Sequence, residues 1–428
     1  MNQTTSTLGE ICDRTKGIII TGPFGSQLHE SDYIEEGIPV IMPKDIIGGK
    51  ISEENIARIR ESDAVRLAKY RLKTGDIVFG RRGDIGRRAI ISQKENGWLC
   101  GTGSLLIRPG NSIIDPKFLY YYLGEETCIA WISNQAIGAT LPNLNTSIMK
   151  RISLTYPPLP AQQKIATILS AYDDLIENNT RRVRILEKMA QALYLEWFVN
   201  FHFPGHEGVR RVESELGMVP EGWEVSTIGK ISNVILGYAF RSKDWCDQGI
   251  PVIKIKNIRP RNLIDVDQVD HISEATLSSK QEKYWISHGD ILIAMTGATA
   301  GKVGKLRSNE RMLLNQRVAK IESQVQFKEY LWCSISTPEA EKKFHALADG
   351  VAQPNMSGIQ IENTKIMLPS FDLLKQFNEF VYPMLNSIDN FILKDQVLRR
   401  TRDLLLPKLI SGEIDVSDLD IRIPEAEA

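Results

Sequence analysis

The feature that most constrains the fold is a stripe of mostly apolar residues that recur at alternating steps of four and three. The stripe extends over more than thirty residues and is interrupted by one asparagine. This spacing is typical of a helix that packs lengthwise against a partner helix. Its positions are Ile165, Leu169, Tyr172, Ile176, Asn179, Val183, Leu186, Ala190, Leu193 and Trp197.

The same stripe returns 212 residues further along the chain, where eight of the ten positions are again apolar. Its positions are Phe377, Val381, Met384, Ile388, Phe391, Asp395, Leu398, Arg402, Leu405 and Leu409. The two stripes predict long helices over residues 160–199 and 371–411. An ordinary core helix is the simpler interpretation of one stripe, but both exceed the usual length of a globular helix, which favours a paired rod.

An antiparallel arrangement of these two helices would pair stripe residues whose numbers sum to 574. Asn179 then faces Asp395, and Tyr172 faces Arg402. A buried polar pair of this kind lowers stability but fixes the register of the two helices. We therefore expect an antiparallel coiled coil.

The remainder of the chain is also repeated. The sequence Gly-Ile-Pro-Val-Ile begins at Gly37 and again at Gly249, and Gly-Asp-Ile begins at Gly75 and again at Gly289. A fixed order at a nearly constant offset indicates an internal duplication. We predict a first body over 1–159, a helix over 160–199, a linker over 200–222, a second body over 223–370, a helix over 371–411 and a frayed acidic tail over 412–428.

Each body has the pattern of a mixed α/β domain, so the predicted fold class is α+β with pseudo-twofold symmetry. Short apolar runs separated by glycine and proline predict strands in the first body. These runs cover residues 18–20, 39–42, 76–79, 89–91 and 105–108. Helical spacing of apolar residues predicts one helix over 118–134.

Composition and motifs argue against several classes of protein. No stretch of the 428 residues approaches the eighteen apolar residues of a membrane span, and the N-terminus lacks a signal pattern. The five cysteines are scattered without a Cys-x-x-Cys pair, which predicts reduced thiols in the cytoplasm and no zinc site. The glycine-rich stretch at 297–302 lacks the spacing and the hydroxyl residue of a phosphate loop. We expect no catalytic residue and no metal site.

Basic, glycine-rich turns are the candidate binding elements of both bodies. Arginine and lysine contact phosphates or guanine edges, whereas asparagine and glutamine read adenine. The alternative is that each turn is a solvated hairpin with a charged tip. Candidates in the first body are Lys44, Arg81, Arg82, Arg87, Arg88 and Thr102. Candidates in the second body are Lys254, Lys256, Asn257, Thr296, Thr299, Lys302, Asn315, Gln316 and Arg317, and the same region also contains Lys305 and Arg307.

The order of motifs resembles the specificity subunit of type I restriction–modification enzymes over essentially the full length. Matching pieces are Gly-Asp-Ile followed by a basic turn, twice, and the sequence Pro-Pro-Leu-Pro-x-Gln-Gln-Lys-Ile from Pro157. Further matches are Leu-Gly-x-x-Pro-Glu-Gly-Trp from Leu216 and Leu-Leu-Pro-Lys-Leu-Ile-Ser-Gly-Glu from Leu405. The loop at 138–144 also matches, and the resemblance adds Thr140, and Gln353 in the second copy, to the candidate contacts.

The resemblance implies that each body is a target recognition domain for one half of a split sequence in double-stranded DNA. The helices would set the spacing of the halves and dock two modification subunits, which carry S-adenosylmethionine and the adenine methyltransferase. Restriction subunits would add ATP- and magnesium-dependent translocation and cleavage, and the chain itself would be non-catalytic and bind no cofactor. A rival interpretation is a coiled-coil adaptor that tethers two protein partners and never contacts nucleic acid.

Overall fold

The computed structural model describes residues 3–81, 85–110, 112–135, 143–348 and 355–423. The candidates Arg82, Thr140 and Gln353 lie outside the described residues, as does most of the loop predicted at 138–144. The chain divides into two compact units, Met1–Ile176 with Val397–Ala428 and Glu177–Gln396. Both divisions fall inside long helices, Leu159–Tyr194 and Phe371–Ser411. A turn of π-helix, Leu195–Val199, follows the first long helix.

The first unit contains two four-stranded sheets. Sheet A is antiparallel and has the strand order Ile18–Thr21, Ser104–Arg108, Ile77–Gly80, Arg88–Ile90. Sheet B has the order Leu99–Cys100, Ile38–Ile41, Ala57–Ile59, Tyr33–Ile34, and its first pair is parallel. Two-stranded pairs join Thr4–Thr7 with Ser153–Tyr156 and Ile46–Ile47 with Lys50–Ile51. The five strands predicted in this body are confirmed, with ends shifted by one residue or less.

Both faces of sheet A are buried, which explains why its strands are continuously apolar. Ile77 and Phe79 belong to one core cluster, whereas Val78 and Ala89 belong to another. Successive side chains of a strand point to opposite faces, so a strand between two cores needs an apolar residue at every position.

The prediction of one continuous helix over 118–134 in the first unit is corrected. The helix expected over 118–134 is two helices, Pro116–Tyr122 and Glu126–Gln135. The carboxylate of Glu125 accepts hydrogen bonds from the backbone N–H groups of Thr127 and Cys128 at 2.9 and 3.2 Å, so a new helix begins there. The unit's remaining short helices are Leu8–Thr15, Glu61–Arg66 and Thr146–Lys150.

The second unit repeats the sheet plan of the first. Sheet C is antiparallel, with the order Ser232–Leu236, Val318–Ser323, Ile291–Ala294, Val303–Lys305. Sheet D has the order Trp245–Cys246, Asp270–Ile272, Ile250–Ile253, Met312–Leu314, Trp285–Ile286, with one parallel pair in its interior. Two-stranded pairs join Glu224–Thr227 with Lys365–Leu368 and Ile258–Arg259 with Leu263–Ile264. Its short helices are Ile228–Ile231, Lys328–Ile335, Pro338–Leu347 and Gly358–Glu362.

In the second unit, the long-helix segments contact each other in antiparallel order. The ring centroids of Trp197 and Phe377 are 5.9 Å apart. Further along, the Asn179 amide donates a 2.8 Å hydrogen bond to the Asp395 carboxylate. These pairs have the predicted sum of 574, and the expected contact between Asn179 and Asp395 is confirmed.

In the first unit, the remaining segments of the two helices share the core with the first body. Ile165, Leu169 and Leu409 are buried in one cluster. The Arg402 guanidinium pairs with the carboxylate of Asp173, the residue that follows Tyr172. Every residue of the two predicted stripes is buried or half-buried.

Two segments are more ordered than the sequence suggested. The predicted linker contains a hairpin of Arg211–Ser214 and Gly217–Pro220. In the predicted frayed tail, Val416 is fully buried in the core of the first unit, and the Lys164 ammonium donates to the Ser417 carbonyl at 2.6 Å. An apolar residue within an acidic segment supplies the contact that holds this part of the tail.

No helix in the described part of the chain combines the length and the apolar character that crossing a bilayer requires.

Candidate functional site

Backbone hydrogen bonds gather several loops of the first body into one surface, which we call the first loop cluster. It comprises residues 22–24, 42–44, 80–81, 85–87, 101–103 and 143–144. Four N–H groups of this region donate to carbonyls across its loops, at 2.8 to 3.0 Å. The bonds run from Arg81 to Gly103, from Gly101 to Ile41, from Leu144 to Arg81 and from Gly22 to Ser104.

The second body has an equivalent surface, the second loop cluster, comprising residues 237–240, 253–256, 295–302, 315–317 and 355–356. The same four backbone bonds recur at 2.9 to 3.0 Å. They run from Met295 to Arg317, from Asn315 to Ile253, from Met356 to Met295 and from Gly237 to Val318. The offsets from the first cluster are 212 to 215 residues, so the duplication extends to individual loop hydrogen bonds.

One glycine in each cluster permits two loops to come into close contact. A Cβ atom on Gly22 would lie 2.0 Å from the Gly101 carbonyl oxygen, and one on Gly237 would lie 2.1 Å from that of Asn315. Backbone atoms occupy this space, so any side chain would force the loops apart. Both bodies therefore need glycine at this position.

Four predicted residues of the first body lie in its loop cluster. Lys44 and Arg87 are exposed. Arg81 Nε donates to the Leu144 carbonyl at 2.8 Å, and the Thr102 hydroxyl donates to the Pro23 carbonyl at 3.0 Å. The cluster thus combines exposed cations with polar side chains that its own loops orient.

Arg88 has a different environment from the other candidates. Its Nε donates to the Tyr120 carbonyl at 2.8 Å, and its guanidinium carbon lies 4.8 Å from the centre of the Tyr120 ring. Burial lowers the pKa of Arg88. A Cβ on Gly124 would lie 1.3 Å from this guanidinium. The structure therefore assigns Arg88 to packing within the body, and we remove it from the candidate contacts.

In the second body, an acidic residue holds two of the predicted lysines. Lys254 and Lys256 pair with the Asp270 carboxylate at 2.7 and 2.9 Å, and their hydrogen bonds lower the pKa of Asp270. Lys254 Nζ also lies 3.3 Å from the centre of the Trp245 ring. Contacts within the second body therefore orient both lysines.

Asn257 is fully buried. Its side-chain oxygen accepts from the Lys254 N–H at 2.9 Å, and its amide donates to the carbonyls of Asp265 and Gln268 at 3.1 and 3.0 Å. All these bonds hold a turn in place. Asn257 is therefore a structural residue, and the expectation that it contacts a ligand is corrected.

The other candidates of the second body lie in its loop cluster. Gln316 and Arg317 are exposed, whereas Asn315, Thr296, Thr299 and Lys302 are half-buried. The Gln316 N–H donates to the Tyr238 carbonyl at 2.9 Å, and Thr296 forms a β-bridge with Asn355. Folding therefore brings together residues that are 78 and 59 positions apart in the sequence.

Sequence reasoning missed a buried ionic cluster in the second unit. Lys305 and Arg307, predicted as part of a basic surface turn, pair with Asp389 of the second long helix at 2.6 and 2.7 Å. All three are buried. Burial raises the pKa of Asp389, but the adjacent Arg307 and Lys305 outweigh it and hold that pKa below its usual range. The alternation of Lys305 and Arg307 around Leu306 was the available signal.

In the described part of the chain, no three histidine, cysteine or acidic residues gather in a way that could hold a metal ion. His202 contacts Glu196 at 2.9 Å, and His206 contacts the Phe203 carbonyl at 2.8 Å.

Repeated sheets and repeated loop clusters define a tandem α/β protein whose two bodies are built on one backbone plan. Residues 3–188 and 220–387 match the type I restriction modification DNA specificity domain. The chain therefore belongs to this family and is a specificity subunit of a type I restriction–modification system.

Named relatives match most of the chain. It is 28% identical over 397 residues to the type I restriction enzyme MjaIX specificity subunit of Methanocaldococcus jannaschii. This alignment covers 91% of this chain and 89% of the relative. It is 24% identical over 433 residues to the HindI specificity subunit of Haemophilus influenzae, covering 86% and 93% respectively.

A solved structure shows the same fold. The S subunit of a type I restriction–modification system from M. genitalium aligns with a TM-score of 0.59 at 17% sequence identity, covering 96% of each chain.

Proposed function

We propose that each loop cluster reads one half of a bipartite sequence in double-stranded DNA. The observation that carries this proposal is that four equivalent backbone hydrogen bonds support different side chains in the two bodies. A fixed scaffold with variable side chains is what two readers of unrelated half-sites require. Membership in the DNA specificity family supports DNA as the ligand.

The side chains of the two clusters suit contact with DNA. Lys44, Arg81 and Arg87 provide cations for phosphates or guanine edges in the first cluster. The second cluster adds Asn315 and Gln316, whose amide groups match the donor and acceptor of adenine. We infer that the two clusters read different bases because their polar groups differ.

The two long helices form, in this proposal, an antiparallel coiled coil that sets the distance between the half-sites. The contacts between Asn179 and Asp395 and between Trp197 and Phe377 support the antiparallel register within the second unit. Recognition bodies on one side of DNA favour half-sites about one helical turn, roughly 34–36 Å, apart. The domain bounds predicted from the sequence are kept as part of this proposal.

The chain supplies recognition, and its partner subunits supply the chemistry. We propose that the helices dock two modification subunits, which bind S-adenosylmethionine and methylate adenine. Restriction subunits that use ATP and magnesium complete the assembly. This division of labour is consistent with a chain in which sequence analysis found no catalytic motif.

The experiment maps methylated adenines in the DNA of a host that carries this chain with its modification subunits. We expect one bipartite motif with an unread gap, and lengthening both helices by a few residues should widen the gap without changing either half. Methylation without any split motif, or half-sites that change with helix length, would contradict the proposal.

A binding measurement distinguishes the proposed DNA recognition from the alternative of a coiled-coil adaptor. A complex of this chain with its modification subunits should bind random duplex DNA with an affinity that falls as salt rises. An adaptor that never contacts nucleic acid would leave the affinity of the modification subunits for DNA unchanged.

A further inference from the structure

Phe24 is an exposed aromatic residue of the first loop cluster. Its side chain is 54% exposed, although its neighbours are glycines, a proline and basic turns. Arg81 lies beside it, with the guanidinium carbon 5.7 Å from the centre of the Phe24 ring. A single exposed apolar side chain is common on protein surfaces, so exposure alone assigns it no role.

Several hydrogen bonds hold the loop that carries Phe24. The Thr102 hydroxyl donates to the preceding Pro23 carbonyl at 3.0 Å. The Phe24 N–H donates to the Gln27 side chain at 3.3 Å, and the Gln27 N–H donates back to the Phe24 carbonyl at 2.8 Å. Gln27 in turn accepts a 2.8 Å bond from the Tyr70 hydroxyl. The loop thus presents the ring outward at little further entropic cost on binding.

We propose that Phe24 contacts the C5-methyl group of a thymine in the half-site read by the first loop cluster. This inference rests on the proposed function and adds a specificity-determining residue to it. The thymine methyl is the apolar feature of the major groove, and side chains such as phenylalanine contact it. The neighbouring Arg81 carries the group suited to guanine or phosphate, so one surface offers an apolar and a cationic contact to adjacent nucleotides.

The second body does not present an equivalent residue in the same way. Phe240, which follows the cluster glycine Gly237, is half-buried, and its ring centroid lies 5.7 Å from that of Trp245. Tyr238 packs with its ring centroid 5.3 Å from that of Tyr284. Because these rings pack against rings of their own body, the thymine contact is assigned to the first body alone.

The test uses the chain assembled with its modification subunits and duplexes that contain the mapped target. The first half-site is the one that changes when residues 1–159 are exchanged. Each thymine in it is replaced singly by deoxyuridine, which lacks only the methyl group. At one position this change should weaken binding about fourfold, the effect of one buried methyl group. Phe24→Ala should weaken binding to the thymine duplex about tenfold and abolish the further effect of that deoxyuridine.

Two variants serve as controls. Phe371→Ala removes a phenylalanine that is 61% exposed outside both clusters and should retain the sensitivity to deoxyuridine. Phe24→Leu keeps an apolar side chain and should retain most of the sensitivity to deoxyuridine. The inference is overturned if the half-site contains no thymine, if no deoxyuridine weakens binding, or if Phe24→Ala stays sensitive. Failure of the wild-type assembly to bind the bipartite target would instead overturn the proposed function.

Discussion

The two loop clusters share a backbone and differ in side chains. Arg81 of the first cluster corresponds in its backbone hydrogen bonds to Met295 of the second, and Gly103 corresponds to Arg317. The basic groups therefore occupy different places on equivalent scaffolds. Duplication preserved the hydrogen bonds that fix the loops, while the residues that face outward diverged.

The buried charges beneath the two scaffolds also differ. In the first unit, Arg108 of sheet A forms two bonds to the buried carboxylate of Asp76, at 2.6 and 2.7 Å. In the second unit, Lys305 and Arg307 share Asp389, which belongs to the long helix. The second body is thus joined to its helix by buried charges, whereas the residue of the first body equivalent to Lys305 in the strand register is the apolar Ile90.

The largest predicted effect follows from removing Asp389. Asp389→Ala would leave two buried cations without their carboxylate and should lower the free energy of unfolding by about 3–5 kcal/mol. Urea unfolding at pH 7 measures this loss. Glu379→Gln, at an exposed position on the same helix, is the control and should have little effect. A loss below 1 kcal/mol would show that this cluster does not stabilise the second unit.

The same carboxylate predicts a pH dependence. Because the folded-state pKa of Asp389 is lowered, its contribution to stability is present above the ordinary aspartate pKa and is lost as pH falls through the folded value. Stability curves for the wild type and Asp389→Asn should therefore converge in acid. Parallel curves from pH 7 downwards would assign the pH dependence to other groups.

A smaller effect is expected at the cluster glycines. Gly22→Ala and Gly237→Ala each place a methyl group against a backbone carbonyl and should destabilise the protein by about 1–3 kcal/mol. Each should impair reading of its own half-site only. Gly25→Ala and Gly208→Ala, at positions with open space, are matched controls. Equal tolerance of all four substitutions would contradict the close packing of the loops.

The smallest effect is expected from a single basic side chain. Arg81→Ala should weaken DNA binding and reduce the slope of log affinity against log salt by about one if Arg81 contacts a phosphate. Arg60→Ala, which removes an exposed arginine outside the cluster, is the control. An unchanged affinity and slope for Arg81→Ala would identify its turn as a solvated hairpin.

Periodicity and repetition predicted much of the fold because they depend on regular geometry. The stripes located both long helices and the pairing of Asn179 with Asp395. The interruption at Glu125 was missed because helical spacing continues across it, and the burial of Val416 was missed because its neighbours are acidic.

The candidate site was harder to predict than the fold. Charge and glycine content identified the turns, but they did not separate the exposed Arg87 from Arg88, which packs against Tyr120. Asn257 was predicted to contact DNA because its side chain is polar. In the structure, the hydrogen bonds of this side chain hold a turn of its own body. Which polar residue faces outward depends on contacts between distant segments, and sequence spacing does not report those contacts.

The most direct test of the account is to replace residues 1–159 with the same region of a related specificity subunit and to map methylated adenines. We predict that one half of the bipartite motif changes while the other half and the gap stay the same. A change in both halves, or in neither, would contradict the claim that each loop cluster reads its own half-site.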